Sequence, residues 1–471
     1  MNWDGVLPMT TEEAQKHGNF APWSDHRVYM EQEFLKAFRK GKEFLHEIDP
    51  EGLASISGTQ VPTPHNGCNW FEIDQVVDYL QPYSGGNQDA MHFLFRPGLL
   101  LTGFTGYGVT GKEAHLEQWR RLFYGHAGAS IFWHYTLMNP DLTFSSQGKA
   151  LAEAFGRIQA GIGRLFMTST VHEDGVAIHF SMASIRGAWI TDGKITDGMG
   201  YAQRTSKNFA ELTKRRNEWV KALEKQGVQF RFLATPQIES GSLKQFRVLI
   251  LPYSIALSDQ EIAEVDAFVK RGGTVYLDEQ TGRMDEGCHW RKEPLWQGEV
   301  RGFIRRGPGD IDIQPGFPTV GEFLRTIRDL GQSRLIGLLP KEAAQLELPT
   351  AQGVRYDLIR GGVAATKLAV SPEEPGILVE RSTRIAKLAL DKELRVSLVD
   401  ERGNPVDRSV VHLQVFDPSG KLVRYYSSNV TVTDGKAEFA IPFALNDSKG
   451  NWKIQARDVV SGLTAEQLVR R

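Results

Sequence analysis

Residues 247–282, RVLILPYSIALSDQEIAEVDAFVKRGGTVYLDEQTG, decide the fold. Val248, Leu249, Ile250 and Leu251 form an unbroken apolar run closed by Pro252, the pattern of a parallel strand buried on both faces. Ser258, with Glu261 three residues on, makes a capping box, and Ile262, Val265, Phe268 and Val269 then share one helical face. Gly272 and Gly273 stop the helix, because glycine accepts the left-handed conformation that follows a last turn. A second strand over residues 274–277 completes a βαβ unit.

Outward from this unit the same alternation continues. A strand over 176–180, a helix over 207–225 and a strand over 228–233 place an α/β domain at residues 171–300, with a doubly wound, flavodoxin-like sheet. Upstream, residues 25–48 read as an amphipathic helix carrying Tyr29, Phe34, Phe38 and Phe44, and a helical turn is predicted near Phe71. Strands are predicted at 54–58, 76–83, 99–103 and 129–134, with helices at 112–124 and 146–165. Their spacing is that of a (β/α)8 TIM barrel, of which residues 1–170 would supply half, the last four strands. Residues 301–387 form a mixed connecting region, in which PTVGEFLRTIRDLG reads as one helix followed by strand-like segments. From 388 to 471 the pattern changes to short alternating runs, LRVSLV, VVHLQVF, KAEFAIPF and WKIQA. Turn signals such as Asp417-Pro418-Ser419-Gly420 and Asp434-Gly435 separate them, as in a small antiparallel β-sandwich. The expected class is multidomain α/β plus β.

Composition narrows the function classes. With 471 residues, 41% hydrophobic and 24% charged, the chain can bury several cores. A formal net charge of -2 supplies no basic field for nucleic acid and no cationic helix for a membrane surface. Cys68 and Cys288 support neither a disulfide framework nor a four-ligand zinc site, and His65 beside Cys68, or His289 beside Cys288, adds too few ligands to hold a metal. No metal or cofactor is expected. No apolar run approaches the roughly 18 residues of a membrane-spanning helix, and the first residues have neither a basic nor an apolar region of a leader.

The order of parts resembles the C-terminal portion of the β-galactosidases of glycoside hydrolase family 42. VLILPYSIALSDQEIAEVDAFVKRGGTVYLDE is similar to that family's amidotransferase-like trimerisation domain, and AGASIFWHY to its last barrel strand. The terminal sandwich resembles macroglobulin or Ig-like modules appended to secreted bacterial proteins, which is compatible with an extracytoplasmic setting. The resemblance implies retaining hydrolysis of a terminal β-linked sugar by an acid/base glutamate and a nucleophile glutamate, a carbohydrate partner, and a homo-oligomer, a trimer in the family.

Neither carboxylate is found where the resemblance requires it. No Asn-Glu pair precedes the first long helix, so the acid/base position is expected upstream of Met1, and the strand meant to end in the nucleophile reaches Thr102 instead. A threonine needs an activating base, and none is evident. Glu113 and Glu117 lie downstream, but with Arg121 they have the helical spacing of a solvated, salt-bridged face. Sugar contacts are expected at Trp133, His134 and Tyr135 on the last strand, and at Asp74 and Ser57, with Asp78 and Tyr83 as weaker candidates. Ser254 follows the strand 248–251, yet no GxSxG elbow surrounds it. Two readings stay open: a piece of a β-galactosidase-like hydrolase that is inactive alone, or a non-catalytic carbohydrate-binding or assembly scaffold.

Overall fold

The apolar runs become strands and the capped amphipathic segments become helices in the computed structural model, which describes residues 8–83, 88–96, 98–105, 111–128, 130–131, 137–195, 204–308 and 323–471. The chain divides into two units, Met1–Phe104, Gly128–Ser130 and Glu173–Gly316 in the first, and Thr105–Ala127, Ile131–His172 and Phe317–Arg471 in the second.

In the first unit the strands Val176–Phe180, Phe230–Ala234, Val248–Leu251, Thr274–Leu277 and Phe303–Ile304 form one parallel sheet. Their order is second, first, third, fourth, fifth, the flavodoxin-like arrangement expected from the sequence. Every residue of Val176–Phe180 and of Val248–Leu251 is buried, as strands covered on both faces require. The helix Asp259–Lys270 starts at the predicted capping box, with Ser258 accepting from the Glu261 N–H and Glu261 returning the bond, and Gly272 takes φ +96° after its last turn. The helix Met182–Asp192 was not legible as amphipathic because nearly all of its sides are buried.

The same unit carries a smaller parallel sheet, Ser55–Thr59, Tyr79–Pro82 and Leu100–Leu101 in that order, whose crossovers contain the helices Trp70–Val76 and Gln88–Phe95. The strands expected near 54–58, 76–83 and 99–103 therefore lie side by side, and Ser130–Ile131 is the described part of the one expected at 129–134, paired with Phe104–Thr105 in a separate two-stranded sheet. The long helix begins earlier than predicted, at Ala21 with Pro22 in its first turn, and runs to Ile48. Of its larger apolar side chains, Tyr29 and Phe44 are each 58% exposed.

The second unit corrects one reading. Residues 323–330, expected as a helix, form the strand Phe323–Leu330, paired antiparallel with Ser333–Pro340. Phe323, Ile327 and Leu330 recur at helical intervals, but the following Gly331, at φ +63°, allows a tight hairpin, and the strand partner decides the conformation. These strands belong to a five-stranded sheet with Val354–Asp357, Gly376–Arg381 and Thr170–Val171.

The C-terminal strands form one seven-stranded antiparallel sheet, running from Ile385–Leu390 and Arg395–Asp400 across to Asn451–Asp458 and Thr464–Arg470. Its first and last strands pack together, so the predicted sandwich is a nearly closed barrel. Asp434 and Gly435, both at positive φ, make the hairpin turn that the sequence signalled. One apolar core joins this sheet to Trp119, Leu122 and Phe123 of the helix Gly111–Phe123 and to Leu165 and Phe166.

The helix predicted over 146–165 is interrupted. Ser146–Arg157 passes through a single π-turn, Ile158–Ile162, into Gly163–Met167, and Gly161 within that turn has φ +116°. A Cβ on Gly161 would lie 2.3 Å from Val459 Cγ2, whereas one on the helical Gly156 would meet nothing within 4 Å. Gly161→Ala should therefore lower the unfolding free energy by about 2 to 4 kcal/mol, combining backbone strain with overpacking. Gly156→Ala should raise it by roughly 0.5 to 1 kcal/mol. Urea midpoints of the two variants check the pair, and equal shifts would contradict the assigned conformation.

Candidate functional site

The carboxyl ends of the three short parallel strands are where a barrel presents its functional side chains. Thr102 immediately follows Leu101, with its N–H donating to the Leu80 carbonyl at 2.9 Å, and its hydroxyl is 3.5 Å from the same oxygen. Ser57 is paired with Gln81 in the ladder, and the register slips between Ser57 and Thr59. The slip centres on Gly58, at φ +69°, where a Cβ would come within 2.7 Å of the Tyr83 ring. This bulge lets Tyr83 lie against the strand end, and bulges of this kind commonly re-aim side chains beside functional sites.

Asp78 lies at the opposite, amino end of its strand. It accepts from Lys42 Nζ at 2.5 Å and from the Ala54 N–H at 3.0 Å, joining the long helix to the sheet. Asp74 is turned inward on the helix Trp70–Val76: it is fully buried, and His92 Nδ1 lies 2.8 and 3.0 Å from its two carboxylate oxygens. Burial holds its pKa above the ordinary value against the opposing pull of His92 and Arg96. A ligand arriving from solvent has no free oxygen of Asp74 to reach. Trp133, His134 and Tyr135 lie outside the described residues.

The other candidates from the sequence are placed as follows. Glu117 pairs with Arg121 at 2.7 Å as expected, but the face is not solvated, since Arg121 is 2% exposed. Both cysteines are free and buried, and burial pushes the Cys68 thiol up to about 11. Among the described residues no group of three or more His, Cys, Asp or Glu side chains could hold a metal ion, and no helix is long and apolar enough to cross a membrane.

Two buried polar networks escaped the sequence reading. In the first, His179 Nδ1 is 2.8 Å from Ser254 Oγ and its Nε2 is 2.9 Å from Glu261 Oε1. Serine, histidine and carboxylate in series are the parts of a nucleophilic triad. Here all three are at most 3% exposed, and the second Glu261 oxygen accepts from the Ser258 N–H at 2.9 Å as part of the helix cap. An acyl group from solvent cannot reach Ser254 Oγ, so the chain acts as a structural tie. A histidine inside the run VAIHF was its only sequence signal, because a buried imidazole demands partners. In the second network, Arg186 donates to Ser24 Oγ and to Glu31 Oε1 at 3.1 and 2.8 Å.

A third cluster is partly open to solvent. Trp23 and Trp189 stack at 5.7 Å with nearly parallel rings, and His65 meets both edge-on, at 5.9 and 4.4 Å. The guanidinium of Arg27 lies over Trp23 at 5.2 Å. Burial, with Arg27 and Arg204 nearby, pushes His65 down to about 3, so its ring is neutral at physiological pH.

No family model matches the chain, and no curated protein matches it in sequence. Solved structures do match. A β-galactosidase from Bacillus circulans sp. alkalophilus superposes with a TM-score of 0.62 at 12% identity, covering 80% of this chain and 71% of its own. The β-galactosidase of Rahnella sp. R3 gives 0.61 at 14% identity over 81% and 71%, and a catalytic mutant of a family 42 β-galactosidase from G. stearothermophilus gives 0.60 at 12% over the same shares. The chain thus has the fold of glycoside hydrolase family 42 β-galactosidases over about four fifths of its length.

Glu261 allows a test of the buried tie. Burial would raise its pKa, but His179, the Ser258 N–H and Thr235 more than offset this, so its folded value lies below the ordinary one. A depressed carboxyl stabilises above its unfolded pKa, about 4.3, and that stability is lost as pH falls through the folded value. Glu261→Gln should cost about 3 kcal/mol near neutrality. It should also flatten the fall of the urea midpoint below about pH 4.3, and a variant with an unchanged acid limb would contradict the pairing.

Proposed function

We propose that this chain is a β-galactosidase-like carbohydrate-binding protein, of glycoside hydrolase descent, that does not by itself turn over a terminal β-linked sugar. The observation that carries the reading is the family 42 likeness over four fifths of the chain combined with Thr102 at the end of the third short parallel strand. Retaining hydrolysis needs two carboxyl groups roughly 5 to 5.5 Å apart, one to protonate the leaving oxygen and one to attack the anomeric carbon. The Thr102 hydroxyl faces a backbone carbonyl, which cannot take its proton. Ser57 is a proposed sugar contact, with Tyr83 held against the end of its strand at the Gly58 bulge, and Trp133, His134 and Tyr135, outside the described residues, are proposed contacts on the sequence pattern alone.

An assembly role is supported by a separate observation. Tyr29, Phe44 and Ile48 on the long helix are 58%, 58% and 89% exposed, an amount of apolar surface suited to a second copy of the chain. A homo-oligomer, the trimer of the family, is the corresponding proposal.

The experiment is hydrolysis of an aryl β-galactoside by the purified chain. We expect release indistinguishable from buffer, where a competent enzyme would turn over at about 1 to 10³ per second. Turnover that disappears in Glu113→Gln or Glu117→Gln would sink the inactive reading.

A further inference from the structure

Arg27, Arg204 and His65 carry a feature that the carbohydrate reading does not explain. The described residues of the first unit pair each of their buried carboxylates with a base: Glu31 with Arg186, Asp74 with His92, and Glu261 with His179. Arg27 and Arg204 have no carboxylate partner among the described residues, and the Arg204 charge bears on Arg27. Burial and the Arg204 charge hold Arg27 below its ordinary pKa, and burial with the Arg27 charge does the same to His26. A partly buried guanidinium beside a second positive charge, with no acid among the described residues, forms an incomplete site, because charge repulsion and partial desolvation are both uncompensated there.

The site is also rigid. Arg27 lies flat on Trp23, which is itself stacked on Trp189. The loop bearing His65 is held by Asn66, whose Nδ2 donates to the Val61 carbonyl at 2.7 Å and whose Oδ1 accepts from the N–H groups of Thr63 and Cys68. Buried nitrogens at Trp23 Nε1, Arg27 Nε and His65 Nε2 have no hydrogen-bond partner among the described residues. Trp23 is fully buried, so its N–H cannot be satisfied by bulk water. Arg204 is exposed to solvent. A guanidinium pre-positioned on an aromatic face is suited to a planar or tetrahedral oxyanion, since little side-chain freedom is lost on binding.

We infer that Arg27, Arg204 and His65 bind an anionic substituent, a sulfate ester or a carboxylate, carried by the saccharide that this chain recognises. The inference rests on the carbohydrate reading for the saccharide, but the anion site itself does not. His65, neutral and held at the ring edges, offers a hydrogen bond without adding to the positive charge.

The test is calorimetric titration of the full chain with sodium sulfate against sodium chloride at matched ionic strength, with galactose, and with galactose 6-sulfate. Sulfate should bind where chloride does not, and galactose 6-sulfate should bind at least about tenfold more tightly than galactose. Arg204→Ala, at an exposed position, and Arg27→Gln, which keeps most of the stem on Trp23, should each weaken sulfate about tenfold or more while leaving the far-ultraviolet circular dichroism unchanged. Sulfate binding without any sugar binding would keep the anion site and remove the carbohydrate reading. Galactose binding with no preference for sulfate, or sulfate binding that survives both substitutions, would overturn the inference.

Discussion

A histidine in a strand buried on both faces must bond through both ring nitrogens, and in this chain that requirement ties the first unit together. His179 is the fourth residue of Val176–Phe180, and its partners come from the loop after the adjacent strand Val248–Leu251 and from the first turn of the helix Asp259–Lys270. The Val248↔Val176 register and the helix start are therefore read by one side chain. Sliding Val176–Phe180 by a residue would turn His179 to the other face of the sheet and leave Ser254 and Glu261 buried without their partner. Glu261 serves the helix cap with one oxygen and His179 with the other, so local capping and long-range packing agree.

How much of this was legible followed from the range of the forces involved. The βαβ unit around residues 247–282 was readable because burial, capping and helix termination are each local and agree with one another. Residues 323–330 misled because their apolar spacing suits a helix, while the strand conformation is set by Ser333–Pro340 beyond the turn. The break at Gly161 had no local signal either: an isolated glycine is tolerated in a helix, and only the approach of Val459, far along the chain, shows why no side chain fits there. At the candidate site, Thr102 was placed by counting strands, which parallel pairing preserves. The inward turn of Asp74 depended on His92 from a different helix, and Asp78 marked the wrong end of its strand because sequence spacing gives no sense of strand polarity relative to a site.

On the proposed reading, fold and chemistry separate. The family 42 likeness is a likeness of layers and strand order at 12% to 14% identity, which packing can preserve while nearly every individual side chain changes. A catalytic carboxylate has no such tolerance, since removing the charge at one position removes the reaction step that needs it. Under that reading Thr102 keeps the strand end, with its hydroxyl resting on the Leu80 carbonyl, and supplies no carboxylate.

The distribution of buried charge gives that separation a physical reading. Where acid and base meet in the interior, at Glu31 and Arg186 or at Asp74 and His92, the ligand is the protein's own side chain and the network serves the fold. Arg216 is a buried guanidinium with no acid partner among the described residues, but it lies over the Phe180 ring and burial alone pushes it down to about 10, so it is enclosed. Arg27 and Arg204 differ in both respects: a second positive charge bears on Arg27, and Arg204 is exposed to solvent. An unpaired charge enclosed in a core costs stability and does nothing further, whereas two like charges held at a rigid opening lower their cost only when an anion arrives from outside.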